Sequence, residues 1–156
     1  MDCDWREGMK KSFISGLAKA GIEEGKSYLV GVSGGRDSVV LTHLLLENGI
    51  SIAIAHLNHG ARELADRDQD FVRRLAEKLN LDFFTTTVDV PGKASKEKLS
   101  FEEAARIARY QFLMRIADEN GLSGVIVGHH ADDQVESVLM HLLRGSGMAG
   151  MTGMKY

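Results

Sequence analysis

Val30-Gly31-Val32-Ser33-Gly34-Gly35-Arg36-Asp37-Ser38-Val39-Val40-Leu41 reads as the end of a buried strand, a glycine bend and the start of a helix. Residues 28–32 are apolar and partly β-branched, which suits a strand covered on both faces. Gly34 and Gly35 tolerate backbone angles that a Cβ forbids. Asp37 and Ser38 then open a helical pattern with Val40, Leu41, Leu44 and Leu45 on one side. The free amides of the bend and the positive end of the helix face the strand's C-terminal edge, a ready seat for a phosphate. The loop is not a Walker loop, because no Gly-Lys-Ser/Thr follows the glycines. Nor is it a dinucleotide GxGxxG, because its two glycines are adjacent. A tight turn that only needs a glycine pair is the plain alternative, and the strand, helix and Asp37-Ser38 around it argue against that.

Bulk properties set the frame. A chain of 156 residues suits one domain with one core, and 44% apolar with 26% charged residues marks it as globular. A net charge of −3 gives no general pull on nucleic acid, so any polyanion site must be local. Cys3 is the only cysteine, which excludes a disulfide framework or a paired-thiol metal site within one chain. No apolar run approaches the ~20 residues of a membrane span, and the N-terminus lacks a signal-peptide pattern. The expectation is a cytoplasmic protein with no membrane segment.

Outward from the glycine bend, strand and helix patterns alternate. Residues 2–21 suggest an amphipathic helix with Trp5, Met9, Phe13 and Leu17 in one stripe. That helix, within residues 1–26, is expected to pack on a domain formed by residues 27–156. A second strand, residues 50–58, runs into His56-Leu57-Asn58-His59-Gly60-Ala61-Arg62. If the strands are parallel, these polar groups share an edge with the glycine bend, where open α/β sheets gather ligands. His56 alone reads as a structural histidine; Asn58, His59 and Arg62 together are harder to dismiss. Residues 65–79 read as a helix with Phe71, Val72, Leu75 and Leu79 inward and a solvated face of Arg67, Arg73, Arg74, Glu77 and Lys78. Residues 82–90 read as a strand closed by Pro91, and residues 92–99 as a polar surface loop with Lys93, Lys96 and Lys98.

Ser100-Phe101-Glu102-Glu103 is a capping box opening a helix to about residue 120. Its buried stripe is read as Phe101, Ala104, Ala105, Ala108, Phe112 and Ile116. Arg106 can pair with Glu102 one turn earlier, whereas Arg109 has no obvious local partner and is the better candidate for an anionic ligand. A strand over residues 125–128 ends in His129-His130-Ala131-Asp132-Asp133-Gln134-Val135-Glu136, followed by a helix carrying Val135, Val138, Leu139 and Leu142. The alternation predicts a doubly wound parallel sheet.

Asp132 and Asp133 can satisfy helix N-terminal amides, or hold Mg²⁺ or a cationic substrate near a nucleotide. Capping needs one carboxylate; three carboxylates and two imidazoles within residues 129–136 exceed that need. Zinc fits less well, because His129 and His130 are adjacent and cysteine ligands are lacking.

Ser33-Gly34-Gly35-Arg36-Asp37-Ser38 resembles the SGGxDS pyrophosphate-binding loop of the PP-loop superfamily, the N-type ATP pyrophosphatases. Further stretches narrow the likeness. Residues 55–62, Ser100-Phe101-Glu102-Glu103-Ala104-Ala105-Arg106 with Arg109-Tyr110, residues 128–136, and Leu142-Leu143-Arg144-Gly145-Ser146-Gly147 resemble the tRNA(Ile)-lysidine synthetase family from about residue 27 onward. The resemblance implies a Rossmann-like, adenine nucleotide alpha hydrolase-like fold, with ATP and Mg²⁺ as cofactors. It implies adenylation of C2 of a tRNA wobble cytidine, then attack by the ε-amine of lysine, with pyrophosphate and AMP released. It places Ser33, Gly34, Gly35, Arg36, Asp37 and Ser38 on the ATP phosphates, and Ala55 and His56 beside adenine. Arg109 and His129 would contact the α-phosphate region and, with Asp37, form the catalytic set. Asp133 and Glu136 would receive the lysine ammonium, and Asp37 and Asp132 would be metal partners. The implied partners are tRNA(Ile) with a CAU anticodon and L-lysine, with a homodimer left open.

Such parts suit the chemistry: loop amides and a magnesium ion can stabilise charge developing on pyrophosphate, and an arginine with a histidine can clamp the α-phosphate. In the family the catalytic domain continues past a turn like residues 144–150 into an arginine-proline-leucine-leucine stretch, a further helix and tRNA-binding domains. The expectation is therefore a truncated catalytic domain. Two other readings stay open: a nucleotide-binding module without chemistry of its own, and a cytidine thiolase of the same superfamily. Thiolases usually need catalytic cysteines, and Cys3 lies outside every motif.

Overall fold

The strand that feeds the glycine bend, β1 (Ser27–Gly31), sits inside the sheet between β2 (Ser51–Asn58) and β4 (Val125–His129). The structure is a computed structural model, and it describes residues 4–60, 64–129 and 139–140. Both neighbours of β1 run parallel to it, and β3 (Phe83–Thr87) adds parallel to β2. A two-residue strand, β5 (Leu139–Met140), pairs antiparallel with Gly128 and His129, giving the order β3-β2-β1-β4-β5.

The helices are α1 (Asp4–Lys19), α2 (Arg36–Glu47), α3 (Leu64–Leu79), α4 (Val90–Glu97) and α5 (Phe101–Glu119). Strand periodicity distributes the core into two layers, because alternate side chains leave opposite faces. Tyr28, Val30, Ile52, Ile54 and Ile126 pack with Leu17 of α1, Leu41 and Leu45 of α2 and Val72 and Ala76 of α3. Leu29, Ala53, Ala55, Leu57, Val125 and Val127 pack with Ala108, Phe112, Leu113 and Ile116 of α5. Helices on both faces of a parallel core make the sheet doubly wound, as the alternating pattern predicts. The chain steps from β1 outward through β2 to β3, then returns to the other side of β1 as β4. The C-terminal ends of β1 and β4 therefore form a switch point, where helices diverge and leave a crevice.

Two elements differ from expectation. Residues 92–99, read as a loop, belong largely to α4. Asp89 caps this helix by accepting from the Gly92 amide at 2.9 Å, Pro91 fits its first turn, and Val90 and Ala94 bury against Ala104 and Ala105 of α5. Of the helix expected to carry Val135, Val138, Leu139 and Leu142, only Leu139 is among the described residues, and Leu139–Met140 pairs as a strand with the end of β4, satisfying backbone groups there. Val40, Phe71 and Phe101, assigned to buried stripes, are exposed by 55%, 48% and 45%. Each sits at the margin of a stripe whose centre, Leu41, Val72 or Ala104 and Ala105, faces inward. The capping box forms as read, with Glu103 donating its amide to Ser100 Oγ and Glu103 Oε2 accepting from the Ser100 amide at 3.0 Å.

Gly31, at the end of β1, is closely covered. A Cβ there would stand 2.9 Å from Val127 Cγ1 and 3.1 Å from Leu113 Cδ1. Gly31→Val should therefore destabilise the fold by about 2 kcal/mol through overpacking, measured by urea unfolding; an unchanged midpoint would contradict this packing.

Candidate nucleotide site

The bend after β1 is built by its own side chains. Ser33 Oγ accepts from the Gly35 amide at 3.3 Å, and Ser38 Oγ donates to the Gly35 carbonyl at 2.8 Å. Gly34 sits at φ +91°, a left-handed value that a Cβ resists. Gly35 is the N-cap of α2 and supplies no side-chain acceptor, so the first amides of the helix stay available.

The next strand end is stapled to this one. His56 is buried, and its Nδ1–H donates to the Val32 carbonyl at 2.8 Å, while the Val32 amide donates to the Ala55 carbonyl at 2.8 Å. A carbonyl only accepts, so the His56 proton is on Nδ1 and its Nε2 is an acceptor. Asn58, also buried, donates to Asp66 Oδ1 at 2.9 Å and ties the end of β2 to α3.

These ends frame a cavity of about 370 Å³ at the β1/β4 switch point, within the usual range for a small-ligand site. Ser33, Asp37, Ala55, His56 and Arg109 all line it, so five of the residues singled out from sequence meet at one place. Gly34 and Gly35 form the bend beside it. Arg36 is exposed at the start of α2, and Ser38 is buried bracing the bend, so neither lines the cavity. The backbone of His129 ends β4 next to Gly128, which lines the cavity. The His129 side chain and the residues Arg62, His130, Asp132, Asp133 and Glu136 lie outside the described residues.

Two further wall residues carry chemistry. His59 stood out in the sequence only as part of a polar cluster. Asp68, on α3, gave no signal among the charged residues of that helix. A Cβ on Gly34 would stand 3.4 Å from Asp68 Cβ, so this carboxylate sits against the bend.

The electrostatics favour an anion with a cation beside it. Burial pushes the Arg109 guanidinium below its ordinary value, with Tyr110 acting the other way, and no ion pair holds Arg109 among the described residues. A partly desolvated cation facing a cavity attracts an anionic ligand strongly. Asp37 and Asp68 on the same wall offer hard oxygens of the kind magnesium takes alongside nucleotide phosphates. Among the described residues no group of three or more His, Cys, Asp or Glu side chains could hold a metal ion.

Both imidazoles are held below the ordinary value of 6.5, first by burial; Arg109 acts the same way on each. The folded state keeps them neutral where the unfolded chain takes up protons. Their contribution to stability is therefore present above about pH 6.5 and is lost as pH falls toward the lowered folded values. Urea unfolding should show stability falling from about pH 7.5 to 5.5, by at most ~1.4 kcal/mol per pH unit for each ring. His56→Gln should flatten that slope, and an unaltered slope would mean the ring is not buried neutral.

A glycine bend between a central parallel strand and a helix, with a cavity at the switch point, is the place where doubly wound folds bind their ligands. A family model described as PP-loop domain matches residues 8–156, and the chain belongs to that family. Among curated proteins, the tRNA(Ile)-lysidine synthase of Dehalococcoides mccartyi strain CBDB1 is 45% identical over 145 residues, covering 90% of this chain and 30% of the relative. The bifunctional protein TilS/HprT of Listeria innocua is 43% identical over 131 residues, covering 81% of this chain and 20% of the relative. The chain thus spans about a third or less of the length of these relatives. Two solved structures share the fold at low identity. The U34-tRNA thiolase NcsA from Methanococcus maripaludis, with its [4Fe-4S] cluster, has a TM-score of 0.67 at 16% identity over 80% of this chain and 45% of its own. The NH3-dependent NAD synthetase from Campylobacter jejuni has a TM-score of 0.58 at 15% identity over 80% of this chain and 56% of its own. No helix among the described residues is long and apolar enough to cross a membrane.

Proposed function

We propose that this chain is the ATP-binding, adenylating part of a tRNA(Ile)-lysidine synthase, acting on tRNA(Ile) with a CAU anticodon and L-lysine. One observation carries the reading: Ser33, Asp37, Ala55, His56 and Arg109, chosen from separate motifs, line a single cavity at the end of β1. The 38–45% identity to several lysidine synthases supports this chemistry over cytidine thiolation. The lone Cys3 agrees with that choice.

In this reading the amides of residues 33–38 hold the β- and γ-phosphates, and Ala55 and His56 border adenine. Arg109 holds the α-phosphate for in-line attack by the cytidine O2, and pyrophosphate leaves against the loop amides. The ε-amine of lysine then attacks C2, and the C2–O bond breaks to release AMP. Magnesium bound with the phosphates would supply positive charge to the leaving group. Asp37 and Asp68 are the described residues suited to hold it. His129 at the α-phosphate, Asp132 at the metal, and Asp133 and Glu136 at the lysine ammonium complete the set. We place the protein in the cytoplasm, divide it into an N-terminal helix (1–26) and a PP-loop domain (27–156), and carry a homodimer in the same reading.

Pyrophosphate release from ATP, with lysine and a wobble-cytidine tRNA present, tests the proposal. Release is expected, and Asp37→Ala should abolish it. ATP uptake without any release would instead make this chain a nucleotide-binding module.

A further inference from the structure

The turn that carries His59 is built with care. Asn58 Nδ2 donates to Asp66 Oδ1 at 2.9 Å and to Gln69 Oε1 at 3.3 Å, and Asn58 Oδ1 accepts from the Gly60 amide at 2.9 Å. Gly60 adopts φ +63° so close to the next loop that a Cβ would stand 3.0 Å from the Val88 carbonyl oxygen. The turn therefore fixes His59 at the cavity wall.

The His59 ring has an unbalanced pair of nitrogens. Nδ1 is buried and has no hydrogen-bond partner among the described residues. An orphaned buried N–H is rarer in folded proteins than an unpaired acceptor, so the ring settles with its proton on Nε2. His59 is half-buried and lines the cavity, and since Nδ1 is sealed, Nε2 is the nitrogen that meets a ligand. Arg109 and His56 both oppose a second proton on this ring. His59 is thus a neutral donor at Nε2, whereas His56, with Nδ1–H engaged on Val32, offers an acceptor there.

We propose that His59 donates its Nε2–H to a phosphoryl oxygen of the bound nucleotide, beside Arg109, so that one charged and one neutral donor clamp the same phosphate. A neutral second donor strengthens the grip without burying a second cation next to the first. The proposal rests on reading the cavity as the ATP site, and it assigns His59 a binding role that the sequence motifs did not.

Calorimetry with magnesium-ATP on the whole chain, as wild type, His59→Ala and His59→Gln, tests it together with ¹⁵N NMR of the histidine rings. His59→Ala should weaken ATP binding about tenfold, the usual scale for a hydrogen bond to a charged group. His59→Gln, whose amide N–H can stand near Nε2, should recover most of that loss, with both variants shown to be folded by their cooperative melting. The free protein should show His59 protonated on Nε2, and this signal should move on adding ATP but not on adding lysine alone. Equal ATP affinity in all three proteins, a proton found on Nδ1, or a response to lysine instead of ATP overturns the clamp while leaving the ATP site standing. A wild type that takes up no ATP overturns both.

Discussion

Arg109→Met should raise the thermal midpoint of the free protein by roughly 2–4 °C and weaken ATP binding by about a hundredfold. The two effects share one cause. Arg109 is largely desolvated on the inner face of α5, lines the cavity, and is held by no ion pair among the described residues. A desolvated charge with no ion-pair partner among the described residues destabilises the empty fold, and an apolar side chain of similar length relieves it. That guanidinium is what a phosphate gains on entering. Such opposition between stability and function is common at binding sites. Differential scanning calorimetry and an ATP titration on the same sample measure both quantities. A variant that melts earlier and still binds ATP normally would show that Arg109 serves the fold and not the ligand.

Gly34→Ala and Gly49→Ala should damage the fold equally and the site unequally. Both glycines hold left-handed backbone, at φ +91° and +75°. A Cβ at either strains the chain by about 1 kcal/mol or more. Gly49 is an exposed turn with nothing within 4 Å of a built Cβ, whereas at Gly34 that carbon would stand in ordinary contact with Asp68 Cβ at 3.4 Å. In the proposed site the amides of this bend hold phosphate, so a displaced bend would lose several of those hydrogen bonds together. ATP affinity should therefore fall at least about thirtyfold in Gly34→Ala and stay unchanged in Gly49→Ala. Loss in both, or in neither, would separate nucleotide binding from the geometry of residues 33–38.

Much of this architecture is legible from the chain because strand patterns and glycine bends leave local marks. Residues 28–32, 50–58 and 125–128 announce buried parallel strands, and the capping box at Ser100 marks the start of α5 to the residue. What stayed hidden depends on distant contacts. Helix α4 looks polar because only Val90 and Ala94 bury, and their partners Ala104 and Ala105 lie on the next helix. Asp68 stands among charged residues on an exposed helix face, and only the approach of Gly34 from another element gives it a place. His59 was visible as part of a polar cluster, but its sealed Nδ1 is a property of packing that no spacing encodes. Val40, Phe71 and Phe101 show the reverse error, since periodicity places a residue on a stripe but not at its centre.

The central claim is that ATP phosphates lie in the bend at residues 33–38, in the cavity between β1 and β4. Amide chemical-shift mapping during a magnesium-ATP titration tests it most directly. The account predicts the largest shifts at Ser33, Gly34, Gly35, Asp37, Ala55, His56 and Gly128, with Lys93 and Lys96 on α4 and Lys98 at its C-cap unmoved. Shifts concentrated on α4, or none at saturating ATP in a folded sample, would contradict it.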